Sequence, residues 1–189
     1  MVSHHGADRS VHLTDSALEG SDVCATGYAL AKVLESEQPD LVLLGQQSDD
    51  GECYTIGAVV ADHLKMPSLT QVIKIDVADG KLTCERQAEY GYDTVEIELP
   101  AVISVGDAIN EPRYPSLKAI MGAKKKPLDK VSTGDAGIDA SRVGQDGSRT
   151  TVIALNPPAA KEKGTIIEDE DTNETVEKVV AWLEERKLI

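Results

Sequence analysis

The chain has 189 residues, enough to bury a core without disulfides or metals. Its formal net charge of -14 argues against nucleic-acid binding, which needs Lys and Arg against phosphate. With no Phe and 3% aromatics, that core must be built from Val, Ile, Leu and Ala.

MVSHHGADRS at the start lacks the basic-then-apolar order of a signal peptide. No apolar run approaches the about 20 residues a membrane helix requires, so no membrane insertion is expected. His4 and His5 have no carboxylate or thiol at ligand spacing and read as a solvated terminus. Cys24, Cys53 and Cys84 are odd in number and form no C-x-x-C pair, which fits a reducing, cytoplasmic setting better than a disulfide framework.

Arg9 to Leu13 reads as a short strand. A helix follows from Gly20-Ser21, with Ser21 as the expected N-cap, Asp22 in the first turn and Pro39 as the stop. Val23, Gly27, Leu30 and Leu34 recur along it at helical spacing. Next, "DLVLLG" is a continuous apolar run bounded by turn residues, the pattern of a strand buried on both faces of a parallel sheet. The loop "GQQSDDGECYTIG", residues 45–57, leads into a second helix carrying Ile56, Val60 and Leu64 on one face, closed by Pro67.

The period then changes to two. Ile73, Ile75 and Val77 alternate with polar residues, Asp79-Gly80 is a hairpin signal, and "YGY" at 90–92 marks a second bend. Residues 71–99 are therefore expected as an antiparallel meander inserted in an α/β domain. "AVISV" returns to the buried apolar type of strand. From 131 to 150 no periodicity survives, so a boundary is placed at 130/131. Residues 131–150 read as an arm on a partner or on the surface. "TTVIAL" reads as a strand, and the segment from Glu174 as an amphipathic helix with Val176, Val179, Val180 and Leu183 on one face.

In open α/β sheets, ligands sit at the carboxyl ends of strands against helix N-termini, and here that place is the 45–57 loop. It is neither a P-loop nor an EF-hand by spacing. A carboxylate about 4 Å from a phosphate costs roughly 4 kcal/mol at an effective dielectric of 20. The helix terminus returns only about 0.3–1 kcal/mol, or ~2 kcal/mol when partly buried. Asp49, Asp50 and Glu52 must therefore point away from any phosphate, leaving backbone N–H groups from about Glu52 to Ile56 to hold it. Asp50 is then free to accept from a sugar hydroxyl or to stiffen the loop. The competing reading is that Asp50 and Glu52 only cap the helix, and a divalent metal on the acidic cluster is a third. His12 and His63 lack an evident acid partner, and no nucleophile–base pair stands out.

Against the acidic background, "INEPRYPSLKAIMGAKKKP" at 109–127 gathers Lys124, Lys125 and Lys126 beside an apolar stripe. Ser116 is placed to cap a short helix bringing Leu117, Ile120 and Met121 together. Such a stripe either packs on its own core or serves as an anchor, with the lysines in water steering an encounter.

Taken with "DLVLLGQQSDDGE", the meander, "GADRSVHL" and "GSDVCATGYALA", the segment "LPAVISVGDAINEPRYPSLKAIMGAKKKP" resembles the electron transfer flavoprotein β-subunit family over nearly the whole chain. The resemblance implies a Rossmann-like fold of the adenine nucleotide alpha hydrolase type. In this chain the parallel sheet would lack its N-terminal strands, because family members begin with a strand–helix–strand–helix unit before "GAD". A sheet without its middle strand exposes unpaired N–H and C=O groups, so a shortened chain of poor stability is expected, or another polypeptide filling the gap.

By resemblance, an α-subunit holds the redox FAD and this chain holds AMP or a second FAD. The pair would shuttle electrons from acyl-CoA or other dehydrogenases to a quinone reductase or another acceptor, as in fatty acid oxidation, with no catalytic residue in this chain. Residues implied at the nucleotide are Gly45, Asp50, Gly51, Glu52, Cys53, Tyr54, Thr55 and Ile56, with Ser21, Asp22 and Thr26 nearby. The family usually has Gln at Thr55 and Asn or Ala at Tyr54. The 109–127 segment matches the family's partner-docking loop. Leu117 is its anchor, supported by Tyr114, Ile120 and Met121, and residues 131–189 form an arm and helix docking on the partner subunit. Two alternatives remain: a nucleotide-binding module without electron transfer, and a truncated remnant.

Overall fold

A computed structural model describes residues 5–161, 163–164, 166–167 and 171–189, so His4 lies outside the described residues. It separates into two units, Met1–Thr151 and Val152–Ile189.

In the first unit, strand β1 (Ser10–Leu13) is followed by helix α1 (Val23–Glu37), strand β2 (Leu41–Gly45) and helix α2 (Ile56–Leu64). Asp22, rather than Ser21, caps α1: its carboxylate accepts from the Ala25 N–H at 2.9 Å. The Ser21 hydroxyl accepts instead from the Gly144 N–H at 2.7 Å. Helices α1 and α2 approach closely because Gly27 has no side chain; a Cβ there would stand 2.5 Å from Val59 Cγ1.

The meander is present as β3 (Ser68–Ala78), β4 (Lys81–Ala88) and β5 (Gly91–Glu98). Asp79 and Gly80 both have positive φ, 50° and 75°, as a type I′ hairpin turn requires. Strand β3 is longer than its alternating stretch. Its first residues pair parallel with β6 (Ala101–Val105), and its remainder pairs antiparallel with β4, after a register shift around Gln71. The sheet order is therefore β2-β6-β3-β4-β5. Strand β6 sits between two parallel neighbours and buries Ala101, Val102, Ile103 and Ser104, as its apolar run predicts.

Strand β2 behaves differently from its apolar reading. Val42 is buried under α2 with Ala61 and Val102, but Leu43 on the opposite face is 57% exposed. The strand is the last in its sheet, and that face is covered at Leu41, which packs on the Val72 and Ile103 core, but open at Leu43. Strand β1 stands apart, paired among the described residues only with β7 (Leu128–Val131) in a two-stranded parallel sheet. Between β6 and β7 in the chain lies the short helix α3 (Leu117–Ala123), which follows residues 110–116 with no regular structure.

Residues 132–150 belong to this first unit, so the unit boundary falls at 151/152 and not at 130/131. Ile138 and Val143 are buried against Tyr28 and Ala29 of α1. The Thr133 N–H and hydroxyl both donate to Asp15, at 3.0 and 2.6 Å. A one-turn helix, α4 (Gly144–Gly147), then brings the Arg149 and Thr150 N–H groups onto Asp22 at 2.7 and 3.0 Å. Isolated side chains accepting from backbone hold this segment, which is why no periodicity marks it.

In the second unit, "TTVIAL" is not a strand: residues 151–161 have no regular structure, and Ile153 is 97% exposed. Helix α5 (Thr172–Glu185) is capped by Asp171, and Val176, Val179 and Val180 of its expected apolar face are exposed.

Candidate functional site

Two features meet at the carboxyl end of β2. The N-terminal turn of α1 presents Ser21, Asp22, Val23 and Thr26, and the 46–56 loop presents Gln47, Ser48, Asp50, Gly51, Cys53, Tyr54 and Ile56. Together with Leu30 they line one cleft of about 410 Å³.

Within the loop, Asp50 is held below the ordinary aspartate pKa by a hydrogen bond from the Ser48 hydroxyl, then by its own N–H and that of Gly51. Its charge is thus folded back on the loop that carries it. The Glu52 N–H is also spent locally, on the Ser48 carbonyl at 3.1 Å. Glu52 and Tyr54 lie in the left-handed region, at φ 44° and 56°, while Thr55 is right-handed. Alternation of hand along consecutive residues is the backbone geometry from which anion-binding concavities are built.

Helix α2 starts at Ile56 with no side-chain cap. Neither Asp50 nor Glu52 caps it, which removes the capping reading of those two residues. Its first N–H groups have no partner within a helix, and Ile56, where it begins, lines the cleft. The contrast with α1 is direct, since Asp22 spends its carboxylate on α1's own start and on residues 149–150. Burial pulls the Asp22 pKa up, but the N–H groups of Ala25, Arg149 and Thr150 with the Thr150 hydroxyl outweigh it, and the carboxyl stays below its ordinary value.

Of the expected nucleotide residues, the fold gathers Ser21, Asp22, Thr26, Asp50, Gly51, Cys53, Tyr54 and Ile56 around this cleft. Thr55 instead faces a neighbouring cavity with Tyr28, His63 and Arg142. Gly45 ends β2 and accepts from the Ser104 hydroxyl at 3.3 Å, and Glu52 is exposed outside the lining. Leu30, Gln47 and Ser48 were not singled out for this site by sequence. Gln47 and Ser48 lie in the same polar loop as Asp50, and Leu30 was assigned only to the helix stripe. Among the described residues, no group of three or more His, Cys, Asp or Glu side chains is placed to hold a metal ion. Among the described residues, no helix is long and apolar enough to cross a membrane.

At α3 the apolar stripe does not pack on the core. Tyr114 is 99% exposed, Leu117 75% and Met121 65%, and Ile120 is also exposed. Ser116 caps the helix as expected, accepting from the Ala119 N–H at 3.2 Å. The lysines divide. Lys124 and Lys125 are exposed, but Lys126 turns back to donate to the Ala7 carbonyl at 2.6 Å. Lys126 therefore ties the loop to the fold and does not stand free in water.

Comparison with known proteins identifies the family. The electron transfer flavoprotein domain profile matches residues 1–136. Electron transfer flavoprotein subunit beta of Mycobacterium tuberculosis is 42% identical over 185 residues, covering 97% of this chain and 69% of that protein. The subunit from Thermoanaerobacterium thermosaccharolyticum is 36% identical, covering 97% and 71%. Subunit CarD of the caffeyl-CoA reductase-Etf complex of Acetobacterium woodii is 35% identical over the same shares. With these matches added to its parallel-rich α/β sheet, the chain belongs to the electron transfer flavoprotein β-subunit family, whose role is electron transfer.

Proposed function

We propose that this chain is the non-catalytic half of an electron carrier, pairing with an α-subunit and holding an adenine nucleotide, AMP or a second FAD, in the cleft between α1 and the 46–56 loop. The observation that carries the reading is the uncapped start of α2 at a cleft whose two lining carboxylates, Asp22 and Asp50, are each engaged by nearby backbone N–H groups. A phosphate is held best by N–H groups that have no competing acceptor. In this reading Leu30 and Ile56 pack on the adenosine, and Asp50 lies at the sugar end, away from the phosphate.

When bound at the contact with an α-subunit, a flavin supplies the electron-carrying chemistry. This chain's residues bind, orient and present. The exposed Leu117, with Tyr114, Ile120 and Met121 beside it, forms the surface that docks onto an acyl-CoA or other dehydrogenase. Lys124 and Lys125 favour acidic partners. The apolar face of α5 and residues 152–161 are the second unit's contribution to the α-subunit contact. A cytoplasmic place of action fits the three free cysteines.

Co-expression with an α-subunit tests this. A yellow complex is expected that releases FAD from the α-subunit and, on denaturation, AMP or further FAD from this chain. A chain that binds and cycles a flavin without any companion subunit overturns the proposal.

A further inference from the structure

The segment between β6 and β7 is held unevenly. At its start, the Gly106 N–H donates to the Val72 carbonyl at 2.9 Å, and Ile109 packs on the core around Val72 and Ile103. From 110 to 115 the chain has no regular structure, and among the described residues no backbone hydrogen bond reaches it. Helix α3 follows with seven residues, of which only Ala123 is buried. A helix that short is marginal by itself, so its direction is decided by what holds its far end.

That end is fastened to residues 7–10. The backbone turns at Lys125 and Lys126, whose N–H groups donate to the Gly122 and Ala123 carbonyls at 3.0 and 3.2 Å. The turn aims the Lys126 ammonium at the Ala7 carbonyl, 2.6 Å away and partly buried. One residue on, the Pro127 carbonyl accepts from the Ser10 N–H at 3.0 Å, where β1 and β7 begin to pair. An ammonium used as a charge acts at a distance and is screened by salt, whereas one used as a donor acts only at contact. Lys126 is placed for the second use, and the exposed Lys124 and Lys125 for the first. Leu117 lies about 9 Å along the helix from Ala123, so a tilt of about 20° at the tether carries it roughly 3 Å aside. A binding constellation works only within about 0.5 Å of its geometry.

We infer that Lys126 is a positioning residue for docking: through its bond to Ala7 it sets where Leu117 stands, and it does not steer the encounter by charge. The inference rests on the docking role proposed for Leu117. It divides the three lysines by function, with Lys124 and Lys125 acting through charge and Lys126 through contact.

The test uses the αβ complex with a cognate acyl-CoA dehydrogenase as electron donor. Steady-state constants for the complex are measured at about 0.01 and about 0.15 M ionic strength, where charges are screened beyond about 30 and 8 Å. Lys126→Met keeps the apolar stem and loses the donor. It should raise KM roughly fivefold to tenfold at both ionic strengths, the change falling on KM rather than kcat. Amide exchange across 117–123, followed on the millisecond scale, should quicken roughly tenfold. Lys126→Arg, which keeps a donor, should restore both readouts. Lys124→Met and Lys125→Met should raise KM chiefly at the lower ionic strength and leave exchange across 117–123 as it was. Circular dichroism and flavin content are the folding control, and if Lys126→Met fails it, the same readouts are taken from Lys126→Gln. Three results overturn the inference. One is an effect confined to low ionic strength, which makes Lys126 a third steering charge. Another is a raised KM with unchanged exchange, which means that Lys126 touches the dehydrogenase directly. The third is an unchanged KM while Leu117→Ala still raises it. No change with Leu117→Ala either removes the docking role itself, and this inference with it.

Discussion

Leu117 and Asp22 sit at opposite ends of what one side chain can do. Leu117 is 75% exposed on a seven-residue helix and contributes little to its own fold. Leu117→Ala in the αβ complex should leave circular dichroism and flavin content unchanged. Electron acceptance from a cognate dehydrogenase should fall, with about 1–3 kcal/mol lost from docking as for an interface anchor. Asp22 accepts from Ala25, Arg149 and Thr150 at once, so it caps a helix and holds a distant segment with the same carboxylate. Asp22→Ala should cost about 0.5–2 kcal/mol from the lost cap alone. Faster exchange at residues 148–150 would distinguish loss of the tether from simple fraying of α1.

Among the elements, α1 and α2 depend on one glycine. Because a Cβ at Gly27 would fall 2.5 Å from Val59, Gly27→Ala should push the helices apart. The expected loss is about 1–3 kcal/mol, typical of overpacking, and a lowered urea midpoint with unchanged slope would register it. Gly27→Ala combined with Val59→Ala should recover only part of that loss, because the Val59 Cβ that remains would still lie 2.9 Å away. The meander illustrates the reverse case, where the element was legible before the structure. Alternating residues and Asp79-Gly80 specify two strands and the turn between them. The parallel half of β3 was not legible, because Ser68 to Leu69 is too short for any period to appear.

For the whole first unit, acid is the sensitive variable. Asp15 is held below its ordinary pKa by the Thr133 hydroxyl, the Ala17 N–H and the Thr133 N–H, and Asp22 is lowered as well. A carboxyl depressed in the fold contributes stability above its unfolded value and loses it as pH falls through the folded one. Attachment of residues 132–150 should therefore be constant near neutrality and weaken below the ordinary value of 3.8. Asp15→Asn should remove much of that dependence while lowering stability at pH 7, both measurable by thermal melts across pH. In the second unit, limited proteolysis should cut first within 152–161, where Ile153 and Leu155 are exposed and no regular structure protects the backbone.

The sequence by itself determined the local elements: both main helices, the meander, the buried β6, the capped helix at 117 and the polar loop after β2. Each follows from periodicity, turn chemistry or a cap, which act over a few neighbouring residues. The family was legible too, through the segment from Leu99 to Pro127. Tertiary structure alone decided what depends on distant partners. It left β2 at an edge with Leu43 exposed, returned residues 132–150 to the first unit through Asp15, Asp22 and Tyr28, and bonded Lys126 to Ala7. It also left α2 without a side-chain cap. Those outcomes turn on which backbone groups find acceptors across the fold, and a hydrogen bond between residues more than a hundred positions apart leaves no periodic trace in the chain.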